Sequence, residues 1–162
     1  MGDDAKYPLE GAHKARHAEA EGAEHHLARE LGALATAREH LARAVRALEA
    51  HREETRRLEG AQHLQDDPRR ADAVQREQAY AARRREEAQA LERRVTDARE
   101  AVRSAERAAE QARAALQTAQ RDRQVIDRHH EEWARRRRVE RERREEEELL
   151  GSGAPAGNRG PT

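Results

Sequence analysis

From Arg69 to Leu150 the chain runs without a glycine or a proline. Few architectures accommodate such a stretch, because as an α-helix it would extend roughly 120 Å at 1.5 Å per residue. Small and aliphatic residues recur along it at alternating spacings of three and four: Ala88, Leu91, Val95, Ala98, Val102, Ala105, Ala109, Ala112, Leu116 and Ala119, continued by Arg123, Ile126, His130 and Trp133. That is the seam of a heptad-repeat helix that packs against another helix. An alanine-rich seam lets two helix axes approach closely and favours a neighbour that supplies larger side chains.

Upstream residues supply that neighbour. Leu27, Leu31, Leu34, Leu41, Val45 and Leu48 repeat with the same alternation, Arg38 standing at the position where an apolar residue is missing. Gly22 and Gly32 each weaken an exposed helix by about 1 kcal/mol relative to alanine, so this segment depends on a packing partner. Between the two seams lies the strongest punctuation inside the chain, Gly60 followed by Asp67-Pro68. Gly60 suits the end of a helix in left-handed geometry, and Asp67-Pro68 suits a cap followed by a first-turn proline. Pro8 is likewise placed to open the first helix.

The expected fold is therefore all-α, a long antiparallel two-helix coiled-coil hairpin with an overhanging C-terminal helix. Residues 1–8 form an N-terminal segment, helix one covers about 9–58, the turn about 59–68 and helix two about 69–150. The tail 151–162 has the Gly, Pro and Ser content of a disordered end. A turn centred near Asp66 sets Leu34 and Leu27 opposite about Ala98 and Ala105, and Leu48 opposite about Arg84. Helix one then ends level with about Arg123, leaving roughly 25 residues of helix two without a partner helix; Trp133 among them is either an exposed interface anchor or packed against residues 1–9 folding back.

Composition agrees with a rod rather than a compact domain. Of 162 residues 41 % are charged and 35 % apolar, with no Phe, one Trp and two Tyr, too few large apolar side chains for a conventional core. High charge with few aromatics is also the mark of disorder. Against disorder stand the zero net charge and the strong helix formers throughout. The balance of 33 basic and 33 acidic residues removes any overall pull toward nucleic acid or a membrane surface. With no cysteine, disulfides, thiol catalysis and thiolate metal sites are excluded. No apolar run reaches the length of a signal peptide or a membrane span, and the reading is of a soluble, cytoplasmic protein.

Chemistry-bearing motifs are sparse. His13 and His17 share a helical face with Glu21 one turn further, a spacing able to hold a divalent metal; with no further ligand fixed, the expectation is a solvated helix end and no metal. In His25-His26 and His129-His130 the adjacent rings diverge by about 100°, which disfavours chelation. Arg135-Arg136-Arg137-Arg138 looks like a nucleic-acid patch, but residues 131–148 hold seven Arg and eight Glu, most of them spaced to pair four residues apart, as in a solvated single helix. No nucleic-acid ligand is expected. There is no phosphate-binding loop, no nucleophile elbow and no carboxylate pair in an apolar pocket, and a two-helix rod lacks the concave site that catalysis needs. The chain reads as a non-enzyme without cofactors, acting through protein partners.

Both ends carry further pattern. Tyr7-Pro8-Leu9 with Arg16 resembles the aromatic-x-Leu opening, with an Arg at the tenth position, of the FliJ/YscO (SctO) family of type III secretion stalk proteins. Ala12 and His13 depart from it, standing where that family usually has aliphatics. The closing Arg141-Glu142-Arg143-Arg144-Glu145-Glu146-Glu147-Glu148-Leu149 is similar to the family's Arg/Glu run. The resemblance extends nearly through Leu150 in length and layout. It implies a cytoplasmic stalk on the cytoplasmic face of a flagellar or injectisome secretion apparatus, monomeric, inserted into a hexameric export ATPase and linking it to the export-gate membrane protein, with chaperones as further candidate partners. On that likeness Tyr7, Leu9, Arg16, Trp133 and Arg135, Arg136, Arg137 and Arg138 are the ATPase-contact candidates, and Tyr80 marks the part that meets the gate. A scaffold coiled coil that pairs between chains is the other architecture these seams allow.

Overall fold

Strong helix formers and two uninterrupted seams produce two helices, α1 (Glu10–Gln62) and α2 (Ala71–Ser152). The computed structural model describes residues 6–62 and 71–152. Asp67-Pro68, the first five residues and 153–162 therefore lie outside the described part. Among the described residues there is no strand and no positive-φ residue. Gly60 is thus an interior residue of α1 rather than a left-handed helix end. Pro8 is not the first helical residue either. It occupies the second position of a turn in which the Glu10 amide donates to the Tyr7 carbonyl at 3.1 Å, and Leu9 accepts the first helical bond, from the His13 amide at 2.8 Å. A fixed φ near −65° suits that turn position as well as it suits a helix start.

The chain forms two units, one joining Met1–Ala23 to Ala115–Thr162, the other comprising Glu24–Ala114. In each, a segment of α1 runs antiparallel to a segment of α2, the hairpin expected from the two seams. The α2 seam follows the anticipated heptads: Val95, Ala109 and Ala112 are buried, and Ala88, Leu91, Ala98, Val102, Ala105, Leu116, Ala119, Arg123, Ile126, His130 and Trp133 are half-buried. In α1 the seam passes through Leu27, Glu30, Leu34, Ala37, Leu41, Ala44, Leu48, His51 and Thr55. Ala37, not Arg38, is the position between Leu34 and Leu41. Leu31 lies off the seam with 38 % of its surface exposed, against 8 % for Leu34 and Leu48.

Alignment along the axis differs from expectation by about one heptad. In the unit Glu24–Ala114, Arg38 meets Glu106 at 3.1 Å, Arg52 meets Glu92 at 2.8 Å and Arg84 meets Thr55 Oγ1 at 2.9 Å. Leu34 is consequently level with the Ala105 to Ala109 stretch rather than Ala98, and Leu48 with Leu91 rather than Arg84. The large-on-small match is kept, with partners seven residues further along. A heptad seam is degenerate to such a slip, and the polar seam residues choose between alternatives. At the observed offset the Arg84 guanidinium donates to Thr55 Oγ1, to the His51 carbonyl at 3.2 Å and to Glu54 at 3.0 Å, besides Glu87 of its own helix at 3.2 Å; opposite Leu48 it would lose the three acceptors on α1.

The register makes opposite forecasts for two neighbouring leucines. Leu34→Ala is expected to cost about 2–3 kcal/mol of stability and Leu31→Ala less than about 1 kcal/mol, measured by urea unfolding followed at 222 nm. Equal costs would return Leu31 to the seam.

Candidate functional site

In the unit containing both chain ends, four of the nine histidines, Tyr7 and Trp133 lie on two facing segments. On α1, His13 and His17 are spaced four apart and so share one face, with Tyr7 just before the helix. On α2, Ile126, His130 and Trp133 continue the seam and Asp127 and His129 flank it. Antiparallel pairing brings these sets together.

Tyr7 is the centre of the apolar half. It is only 5 % exposed, and its ring packs edge-on against His130 at 4.7 Å between centroids and tilted against Trp133 at 5.4 Å. His130 in turn stacks on Trp133 at 6.2 Å and lies 5.0 Å from His13. Edge and tilted arrangements of this kind add favourable quadrupole contacts to the burial of area. The Tyr7 hydroxyl donates to His129 Nδ1 at 2.6 Å. Burial raises the pKa of this phenol above its ordinary value, with Glu10 adding in the same direction, so it remains a donor. Glu10 lies in the first turn of α1, where the helix dipole favours a carboxylate. A hydrogen bond and ion pair from Lys14 hold the Glu10 carboxyl below its usual range.

The polar half is built on Asp127. Its Oδ1 accepts from His13 Nε2 at 2.8 Å and from His17 Nε2 at 2.7 Å, while Arg123 Nε lies 3.5 Å from Oδ2. The hydrogen bond from His17, followed by that from His13, depresses the Asp127 pKa against the opposing effect of burial. Arg16, one residue before His17, bridges to Glu19 at 2.7 Å and across to Asp122 at 3.4 Å. The three ligand atoms of His13, His17 and Asp127 lie within 4.8 Å of one another.

These positions revise two expectations. Trp133 is not left over beyond helix one: the register shift carries Tyr7 to its level, and the Trp is half-buried against the start of the chain. The overhang begins instead about one turn later, with every residue from Arg138 to Gly151 exposed. The third member of the histidine cluster is Asp127 of α2, not Glu21, which is exposed on α1. An i, i+4 histidine pair is visible in a sequence; its cross-helix partner becomes visible only when the register is known.

The remaining candidates are spread out. Leu9, the residue whose carbonyl starts α1, is 41 % exposed. Arg135, Arg136 and Arg138 are exposed, and Arg137 is half-buried with Glu140 at 3.2 Å. The expected Arg143–Glu147 pair forms at 3.2 Å, whereas Arg136 Nε donates to the Glu132 backbone carbonyl at 3.4 Å. Tyr80 belongs to the other unit, half-buried in a cleft of about 650 Å³ lined also by His51, Thr55, Leu58, Glu77 and Arg84. Among the described residues no helix is long and apolar enough to cross a membrane.

Two outcomes test the site's architecture. A carboxyl whose folded pKa is depressed contributes stability that is complete above its unfolded value and lost as pH falls through the folded one. In chelator-treated protein the urea midpoint should fall as pH is lowered through the carboxylate range, and Asp127→Asn should make that decline shallower; an unchanged profile would remove Asp127 from a stabilising role. Separately, Tyr7→Ala should shift the fluorescence of Trp133, the sole tryptophan, toward that of a solvated indole. Tyr7→Phe should leave the emission in place and cost about 1 kcal/mol through the lost bond to His129.

A family model described as YscO-like protein matches residues 4–153. Neither the curated proteins nor the solved structures yield a match.

Proposed function

Because the chain belongs to the YscO-like family, a group associated with type III secretion, we propose that it is the non-catalytic central stalk of a type III secretion ATPase, inserted in the hexameric enzyme and coupling it to the export gate. The observation that carries this reading is the match over 4–153, which includes both helices in full. The physical character of the chain supports it. Its apolar seams face each other within each unit, so what remains for a partner is a surface dominated by arginine and glutamate, with single exposed apolar residues such as Val125, Val139, Leu149 and Leu150 among them. A shaft that must seat in a ring without adhering to one subunit needs stiffness and many weak polar contacts rather than one apolar anchor.

The ATPase-facing part is the unit with both chain ends, in particular the exposed run of α2 after Trp133. Arg135, Arg136 and Arg138 present their guanidinium groups there, and they are suited to carboxylates on the inner wall of a ring. The Tyr80 cleft in the unit Glu24–Ala114 is assigned to the gate.

The test is direct. Added to the hexameric export ATPase of its own system, the chain should bind and raise ATP turnover. Triple reversal at Arg135, Arg136 and Arg138 to Glu should weaken binding at least about tenfold, since like charges then oppose across the interface, with helix content unchanged. Binding unaffected by the reversal would overturn the assignment of the overhang. An ATPase indifferent to the intact chain would overturn the stalk itself.

A further inference from the structure

Beyond any contact with an ATPase, the cluster around Asp127 has the donor set of a metal site. We propose that His13, His17 and Asp127 bind one divalent transition metal ion of the zinc class, with solvent in the remaining coordination position, and that the ion clips the first turns of α1 to α2. Two imidazole nitrogens and one carboxylate oxygen form a borderline donor set that suits zinc, cobalt(II), nickel or copper(II) rather than calcium or magnesium, which take oxygen ligands.

Three observations converge on this chemistry. First, the ligand atoms already meet: both Nε2 atoms lie within 2.8 Å of the same Oδ1, and all three within 4.8 Å of one another. Bonds of about 2.1 Å in tetrahedral geometry place ligand atoms roughly 3.4 Å apart, so the two Nε2–Oδ1 separations of 2.8 and 2.7 Å need to open by roughly 0.6–0.7 Å for an ion to replace the two hydrogen bonds. Second, access and mobility are adequate, since the three side chains retain between 23 % and 32 % of their surface exposed. Third, outer support is present. Arg123 lies beside the second carboxylate oxygen at 3.5 Å, and the His13 ring is braced by His17 at 4.5 Å and His130 at 5.0 Å. Such contacts orient ligands before the metal arrives. In the metal-free form each Nε2 carries the proton it donates to Asp127. On binding, a neutral imidazole moves that proton to Nδ1 and an imidazolium releases one, leaving the Nε2 lone pair for the ion.

The site joins the two helices near the beginning of α1. An ion there stabilises the folded form by mass action, and the full three-ligand clip exists only in the folded hairpin, because Asp127 lies 114 residues from His13 and 110 from His17. The other histidine pairs lack this arrangement: His25 and His26 diverge on α1, with His26 paired to Glu30 at 3.6 Å, while His129 accepts from Tyr7.

The full chain, without an affinity tag and stripped with a chelator, would be titrated with zinc chloride by calorimetry and with cobalt(II) by visible absorption. The expected result is one ion per chain with a dissociation constant in the micromolar range or below, a raised melting temperature, and cobalt d–d bands of four-coordinate intensity. His13→Ala, His17→Ala and Asp127→Asn should each weaken binding at least about tenfold, and His25→Ala/His26→Ala should leave it unchanged. Absence of stoichiometric binding, wild-type affinity in Asp127→Asn, or loss of affinity in His25→Ala/His26→Ala overturns the proposal. Circular dichroism identifies any variant that loses helix. For such a variant the wild-type cobalt spectrum decides, weak six-coordinate bands counting against the site.

Discussion

Two heptad seams decide which faces of the helices meet, but a seven-residue period leaves them free to slide against each other by whole heptads. Everything distinctive in the structure depends on how that freedom is removed. Leucine over alanine is equally good at several offsets. A guanidinium is not: Arg84, with a side chain only 14 % exposed, needs acceptors wherever it is placed. At the observed offset it finds Thr55, Glu54 and the His51 carbonyl. A single polar seam residue can thereby specify the axial register at some cost in stability, as buried polar residues do in other coiled coils.

The same offset explains the unit that holds the chain ends. There the seam on α1 begins with His13 and His17 before continuing through Ala20, and the counterparts of the histidines on α2 are Ile126, His130 and Trp133, with Asp127 beside them. Tyr7 closes this arrangement from outside the helix, held by the turn over Pro8. Imidazoles are wide, flat and polar at the edge, so they stack on aromatics and still reach a carboxylate; aliphatic seam residues do neither. The end of the hairpin is thus specified by directional contacts, in contrast to the leucine-on-alanine packing of the unit Glu24–Ala114.

Outside the seams charged residues dominate, with scattered exposed apolar ones such as Leu31, Val125 and Val139. The numerous Arg–Glu pairs are mostly solvent-exposed and spaced three or four residues apart, so solvent screening leaves each of them weak. Their value lies in helix continuity and in a surface that offers many interchangeable weak contacts. That surface accounts for the sparse signals by which single partner residues could be recognised.

The sequence by itself determined the all-α class, the two helices, the whole α2 seam from Ala88 to Trp133 and the family resemblance. Periodicity and helix propensity are local properties, and nothing in the chain contradicts them. It mistook Gly60 for a helix end and Leu31 for a seam residue, because a glycine tolerates helix as well as left-handed geometry and a leucine one place off the seam keeps a plausible spacing. Only the tertiary structure decided the axial offset between helices, and with it the burial of Trp133 by Tyr7 and the meeting of His13 and His17 with Asp127. Those partners lie more than a hundred residues apart, and a periodic pattern carries no information about which of its repeats will be neighbours.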